Sequence, residues 1–278
     1  MTTDSTAKAA RFRKLHEGAD VLVMPNPWDL GSARILAGLG FNALATSSAG
    51  FAHSLGRLDY GVTRAEAIAH GATIAAAVDV PVSADLENGF GHTPEDCAET
   101  MRLAAEAGLA GASIEDASGD PASPIYDIDL ASDRIAAAAD ALASIKSPLV
   151  LTGRAENFLH RLRDLDDTIR RLQAYEAAGA DVLYAPGLTT LEQIKTVCEA
   201  ISKPVNVLMG LPGVELTVAD VAAAGARRIS TGSTLALAAF SAFTTAAQEI
   251  MNEGRFSYAD AAFANKDWKP LLAPDAEH

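Results

Sequence analysis

Eight short apolar runs recur along this chain, each followed by a stretch with the spacing of a helix, and that alternation limits the fold more than any other feature. The runs are Val21 to Pro25, Asn42 to Ser48, the run from Val80 to Asp85, Gly111 to Ile114, Pro148 to Thr152, Asp181 to Ala185, Pro204 to Leu208 and Arg228 to Thr231. Between them lie helices that start at Asp29 and at Thr93-Pro94, and others near 130–145, 166–178, 190–201 and 217–224. Asp29 and Thr93 are good helix caps, and Pro94 sits at the tolerated first position. Strands that alternate with helices build parallel sheets, and eight such units imply a closed barrel rather than an open doubly wound sheet. No G-x-G-x-x-G follows the first run, which also argues against a dinucleotide fold. The expectation is therefore an α/β fold, a (β/α)8 TIM-type barrel, in a single domain over 1–278, with the barrel at about 21–254 and a tail at 255–278.

Two helices stand outside the repeat. Thr6 to His16 carries a weak apolar stripe of Ala9, Ala10, Phe12 and Leu15, ends at Gly18, and suits a lid on one end of the barrel. Thr234 to Asn252 is long and apolar over more than one face, through Leu235, Leu237, Phe240, Phe243, Ile250 and Met251. The excess points to a subunit interface, hence a homo-oligomer, dimer or tetramer.

Charge narrows the partners. The 278 residues include 22 Lys plus Arg against 36 Asp plus Glu, a net of -14, so no nucleic-acid partner is expected. No apolar run reaches the roughly 18 to 20 residues of a membrane span, and the first residues lack the apolar core of a signal peptide. The expected location is the cytoplasm, with no membrane partner. Cys97 and Cys198 are the only cysteines, too few for a disulfide framework; both fall on apolar helix faces and read as structural.

Barrel active sites lie at the carboxyl ends of the strands, and the polar clusters of this chain gather there. The stretch V-P-V-S-A-D-L-E-N-G-F-G-H-T, Val80 to Thr93, ends an apolar strand in Asp85 and Glu87 and then a glycine-rich turn. Alternate strand residues point the same way, so the two carboxylates should share a direction at a strand end, where like charges need neutralising. Mg²⁺, or Mn²⁺ in its place, is the natural neutraliser, since it takes one or two carboxylates together with waters and substrate. Ser47 and Ser48 follow the second run, Glu115 ends the fourth, Arg154 follows the fifth, and Asn206 lies in the seventh. Trp28 follows the first and is read here as lining the pocket; His53 and His92 fall in mouth loops and read as surface residues.

Five segments together resemble the isocitrate lyase and phosphoenolpyruvate mutase superfamily over about Val21 to Glu249. They are Thr46-Ser47-Ser48-Ala49-Gly50, Leu58-Asp59-Tyr60-Gly61, Ala84-Asp85-Leu86-Glu87-Asn88-Gly89-Phe90-Gly91, Ser113-Ile114-Glu115-Asp116 and Thr152-Gly153-Arg154-Ala155-Glu156. The resemblance implies Mg²⁺ at Asp85, with Glu87 and Glu115 in the metal site and Asp59 beside them. It implies a 2-oxo-acid carboxylate held by Thr46, Ser47, Ser48 and Ala49, with Arg154 binding substrate and Asn206 near it. It further implies catalytic roles for Asp59, Glu115 and Arg154. Family members are often tetramers that exchange a C-terminal helix.

Departures from the family are as informative. The lyases carry a Lys-Lys/Arg-Cys-Gly-His signature after the acids of the fourth strand, whose cysteine donates a proton; here Ala117 to Tyr126 contains no cysteine, lysine or histidine. No Lys-Thr-Asn-Ser gating loop of the mutase kind is present either, and Ala185-Pro186-Gly187 replaces a lyase glutamate. A tricarboxylate substrate is therefore not expected. The expected activity is a Mg²⁺-dependent lyase or decarboxylase that cleaves a C-C bond of a small 2-oxo acid through an enolate. The alternatives are phosphonate P-C chemistry, of the mutase or phosphonopyruvate hydrolase kind, and a 2-oxo-acid binding protein with little catalysis.

Overall fold

The computed structural model describes residues 3–18, 20–262 and 264–272. In chain order these form α1 (Thr3–Leu15), β1 (Leu22–Met24), α2 (Leu30–Gly38), β2 (Leu44–Ala45), α3 (Ser48–Ser54), α4 (Arg64–Ala77), β3 (Val82–Asp85), α5 (Pro94–Glu106) and β4 (Gly111–Glu115). Then follow α6 (Ile128–Ser144), β5 (Val150–Arg154), α7 (Leu165–Ala177), β6 (Val182–Tyr184), α8 (Leu191–Ala200), β7 (Val205–Leu208), α9 (Val218–Ala223), β8 (Arg228–Ser230), α10 (Thr234–Glu253), a 3-10 turn (Ser257–Ala261) and α11 (Asn265–Leu272). All eight strands pair in parallel in the order β1-β8-β7-β6-β5-β4-β3-β2. The remaining seam, between β1 and β2, is bridged by Ala45 N-H donating to the Pro25 carbonyl at 3.1 Å and by Asn26 Nδ2 donating to the Thr46 carbonyl at 2.8 Å. The fold is the expected (β/α)8 barrel.

Local chemistry starts most helices where the sequence does. Asp29, Thr93, Thr190 and Thr217 each accept from the backbone three residues on, within reciprocal capping boxes. Three helices were not anticipated: α3, α4 and the short α11 in the tail. α4 starts at Thr63 with Glu66 three positions later, a capping box that is visible in the sequence. α3 interrupts what reads as one long loop, because Ser47 Oγ accepts from Gly50 N-H and turns the chain into a helix directly after β2.

α1 closes the amino-terminal end of the barrel. Ala9 and Phe12 are buried against Leu22, Met24, Ala43, Ala110, Val150 and Val182. The plug fits because Gly111 has no side chain: a Cβ there would lie 2.6 Å from the Phe12 ring. Of the expected stripe, Ala10 is exposed, and the buried positions are Ser5, Ala9, Phe12 and His16, at helical spacing.

His16 makes this plug pH-sensitive. Its Nδ1 donates to the Phe12 carbonyl at 2.8 Å, and its buried Nε2 has no partner. Burial, and next the charge of Arg228, hold its pKa down to about 4. The unfolded chain takes up this proton near 6.5, so it binds more protons than the native state between the two values. Stability contributed by the neutral ring is then present above about 6.5 and lost as pH falls toward 4, by up to roughly 3 kcal/mol. Melting curves across that window should show the loss for the native protein and a flatter profile for H16M; identical profiles would exclude His16 as the cause.

α10 departs from the pattern of a barrel helix. Only Ala236 is buried along it, whereas Leu237 and Phe243 are exposed, as is Met251. α11 lies on α2, with the Leu271 carbonyl 2.9 Å from where a Cβ of Gly38 would stand. The last residues of the expected tail, 273–278, lie outside the described residues. Among the described residues no helix is long and apolar enough to cross a membrane.

Candidate active site

At the carboxyl ends of the strands the barrel opens into a cavity of about 160 Å³. Thr46, Ser47, Ser48, Ala49, Asp59, Asp85, Arg154 and Asn206 all border it. Residues from five separate segments thus meet at one place, as the sequence leads one to expect. Of the other expected residues, Glu87 and Glu115 stand beside this lining, and Trp28 lies away from it. The turn that makes Asp29 a helix cap sends the indole toward α10, where it packs against Phe240 at 6.1 Å, outside the cavity lining.

Ser48 ties the loop after β2 to the acids. Its N-H donates to Asp85 Oδ2 at 3.2 Å, and its side chain draws the Asp59 carboxyl down against the larger effects that raise it. Asp85 is fixed from below as well, because its own N-H donates to Thr46 Oγ1 at 3.0 Å. Lost hydration, then the charge of Asp85, raise the pKa of Asp59. Glu87 reaches the same region by a route other than strand alternation. β3 ends at Asp85, and Glu87 sits in the left-handed region at φ 48°, a conformation that non-glycine residues keep mainly where the surroundings impose it. It lines a small chamber beside the cavity together with Ser47, Ser48, His70 and Asp85.

Arg154 is the hub on the opposite side. Its Nη1 lies 3.4 Å from Asp85 Oδ1 and 3.3 Å from Glu115 Oε2, while Nε donates to Glu156. Tyr60, whose motif carries no evident role in the sequence, donates its hydroxyl to Glu115 Oε1 at 2.5 Å. Burial raises Glu115 well above the usual carboxylate range and Glu156 to about 7, against the pull of Arg154. Arg154 itself stays charged, since three carboxylates surround it. One guanidinium for three acids leaves the group short of positive charge.

Whether these residues suit a divalent cation is decided by what is left over. Glu87 Oε1 is buried with no hydrogen-bond partner, and burial together with Asp85 and Asp59 raises this carboxyl to about 8. An orphaned carboxylate oxygen among like charges fits a cation. The expected trio of Asp85, Glu87 and Glu115 is not one ligand set, however. Among the described residues no three His, Cys, Asp or Glu side chains could hold a metal by themselves, and Glu115 is already engaged by Tyr60 and Arg154. The arrangement suits Mg²⁺ taking one or two carboxylates and completing its shell with oxygens from water and ligand.

Several neighbours act on the frame. Asp116 points away from Glu115 and binds Tyr175 Oη at 2.6 Å, Arg171 Nη1 at 3.0 Å and Glu156 N-H at 2.7 Å, so it ties β4, β5 and α7 together. Arg134, missed in the sequence, is 1% exposed; it donates to the carbonyls of Asn88 and Gly91 and lies over the Tyr126 ring at 4.4 Å, fixing the loop after β3. His92 shares a 2.6 Å hydrogen bond with Tyr126, and His53 faces Phe240, so neither histidine enters the cavity lining. Cys97 is buried and packs against the loop at Gly89, where φ is 79° and a Cβ would meet its sulfur at 2.9 Å. Tyr184 and Arg228 do border the cavity and were not anticipated.

A family model for phosphoenolpyruvate phosphomutase matches residues 12–251. The chain belongs to this family. A structure from Burkholderia cenocepacia J2315 with a provisional lyase/mutase designation superposes with a TM-score of 0.94 at 50% identity, covering 98% of each chain. Among family relatives, an oxaloacetate decarboxylase of Paraburkholderia xenovorans is 30% identical over 82% of this chain and 76% of its own length. A 2-methylisocitrate lyase of Bacillus subtilis is 30% identical over 70% of this chain and 65% of its own. As a member of this phosphomutase family, the protein is an enzyme of carbon-carbon-cleaving or mutase type.

Proposed function

We propose that the protein is a Mg²⁺-dependent lyase or decarboxylase acting on a small 2-oxo acid by C-C cleavage. The observation that carries this reading is the meeting, around one cavity, of the Ser47 to Ala49 turn, the acids Asp59 and Asp85, and Arg154. Ser48 N-H is given to Asp85 and Gly50 N-H to Ser47 Oγ, which leaves the Ala49 N-H beside the Ser47 and Ser48 side chains on the cavity wall. Such a turn suits a carboxylate. Arg154, pinned by Glu115 and Glu156, presents a fixed positive charge to the rest of the substrate. Asn206, buried in β7, is oriented by donating to Ser230 Oγ at 2.8 Å. Mg²⁺ held at Asp85, with Asp59 and Glu87 beside it, would supply Lewis-acid stabilisation of the negative charge that grows on the 2-oxo oxygen. The Tyr60 hydroxyl remains protonated, because burial and then Glu115 push its pKa up, so the mouth keeps a hydrogen-bond donor rather than an anion.

The test is a panel of 2-oxo acids offered to chelator-treated protein with and without Mg²⁺. Oxaloacetate should yield pyruvate faster than a protein-free blank containing Mg²⁺, and no faster than the matching blank when metal is withheld. No product and no ligand-dependent rise in melting temperature for any member would sink the proposal, and a rise without product would identify a binding protein. Pyruvate and phosphate from phosphonopyruvate would instead move the reading to P-C chemistry.

We infer also that a second copy of the chain covers α10, since Leu237, Phe243 and Met251 are exposed on that helix and Phe256 follows it at 62% exposure. Light scattering at micromolar concentration should report a dimer or tetramer. A stable 28.8 kDa monomer would exclude the interface.

A further inference from the structure

The cavity is charged unevenly. Its mouth holds the acids, whereas its lining also includes Arg228, on β8, which is 3% exposed. Arg228 donates through Nε to Asn206 Oδ1 at 3.0 Å and through Nη1 and Nη2 to Thr152 Oγ1 at 3.2 Å each. All three contacts go to neutral oxygens, and among the described residues no carboxylate pairs with it. A guanidinium has five N-H donors, so two remain. Burial without a counter-ion draws its pKa down to about 10, which still leaves it charged near neutrality. Isolated buried charges are among the most costly features of a fold, and they persist where something compensates them.

We propose that Arg228 is a specificity-determining residue: it forms an anionic subsite that receives a second negatively charged group of the substrate, so the enzyme prefers dianionic 2-oxo acids. This deepens the reading given under Proposed function and rests on it. One carboxylate lies at the Ser47 to Ala49 turn, and the second reaches Arg228, where the Ser83, Ser113 and Ser230 hydroxyls complete a polar wall. Asn206 and Thr152 orient the guanidinium, and neither neutralises it. A purely structural strut joining β5, β7 and β8 would need the same hydrogen bonds, but it would give no preference between ligands.

The experiment is calorimetric titration of the Mg²⁺-loaded protein with 3,3-difluorooxaloacetate and with 3,3-difluoro-2-oxobutyrate. These share one skeleton and differ by a carboxylate against a methyl. The unaltered protein should bind the dicarboxylate about 10- to 100-fold more tightly, the range expected of a charge-assisted hydrogen bond. R228M should erase that preference while changing affinity for the monocarboxylate by no more than about twofold. R228Q, which keeps hydrogen bonding without the charge, serves as the second variant if R228M does not fold, and should erase the preference equally. Equal binding of both ligands by the unaltered protein, or a preference that survives in either variant, would overturn the subsite. Binding of neither ligand would overturn the proposed function itself.

Discussion

Replacing Asp85 with alanine is expected to lower metal-dependent turnover by at least about 10³-fold, since removal of one preorganised stabiliser of developing charge already costs on that order. The fold should survive. Asp85 accepts from Ser48 N-H and sits at 3.4 Å from Arg154, but Arg154 keeps Glu115 and Glu156 after the substitution. Like-charge strain would fall as well, because the Asp85 carboxylate is among the groups that push up Glu87, Asp59 and Glu115. A binding readout separates loss of metal from loss of chemistry: Mg²⁺ at 100 times its dissociation constant should stabilise the unaltered protein by about 2.7 kcal/mol and D85A not at all. Unchanged turnover by D85A in chelator-treated buffer with added Mg²⁺ would remove the metal site as described.

Much of this arrangement can be read along the chain because barrel geometry is periodic. Once eight apolar runs alternate with helices, strand ends must converge, and the polar residues just past them face one another. Asp85, Arg154, Asn206 and the Ser47 to Ala49 turn are legible for that reason. Contacts made across long separations by single side chains are not. Tyr60 meets Glu115 from 55 positions away, and Arg134 reaches back 46 positions to Asn88. Trp28 illustrates the converse: its position just past β1 suggests the cavity, but the Asp29 cap sets its direction. Arg228 left a signal that passed unused. In the pair Arg227-Arg228 at a strand start, alternation sends one side chain into the barrel, and an arginine there cannot be idle packing.

Isocitrate and 2-methylisocitrate should be cleaved negligibly, although the chain is 30% identical to a 2-methylisocitrate lyase. Cleaving either leaves a dicarboxylate carbanion that needs a placed acid, and general acid help is worth about 10² to 10⁴ in rate. The loop after β4 cannot give it. Ala117 and Ile125 form an isolated antiparallel bridge, and within the turn they enclose Ser118 Oγ bonds to the Ser123 carbonyl at 2.5 Å. The Tyr126 hydroxyl is engaged by His92, and the Cys97 thiol is buried, with burial pushing it up to about 11. A smaller 2-oxo acid needs less, since decarboxylation releases CO₂ and lets solvent protonate the product. Side-by-side assays of the Mg²⁺-loaded protein should therefore give glyoxylate from isocitrate at no more than background, and pyruvate from oxaloacetate well above it. Rapid glyoxylate release would overturn this and direct attention to Tyr60. Of the hydroxyls near the acids, it alone is held protonated against Glu115, and Y60F would then have to abolish the cleavage.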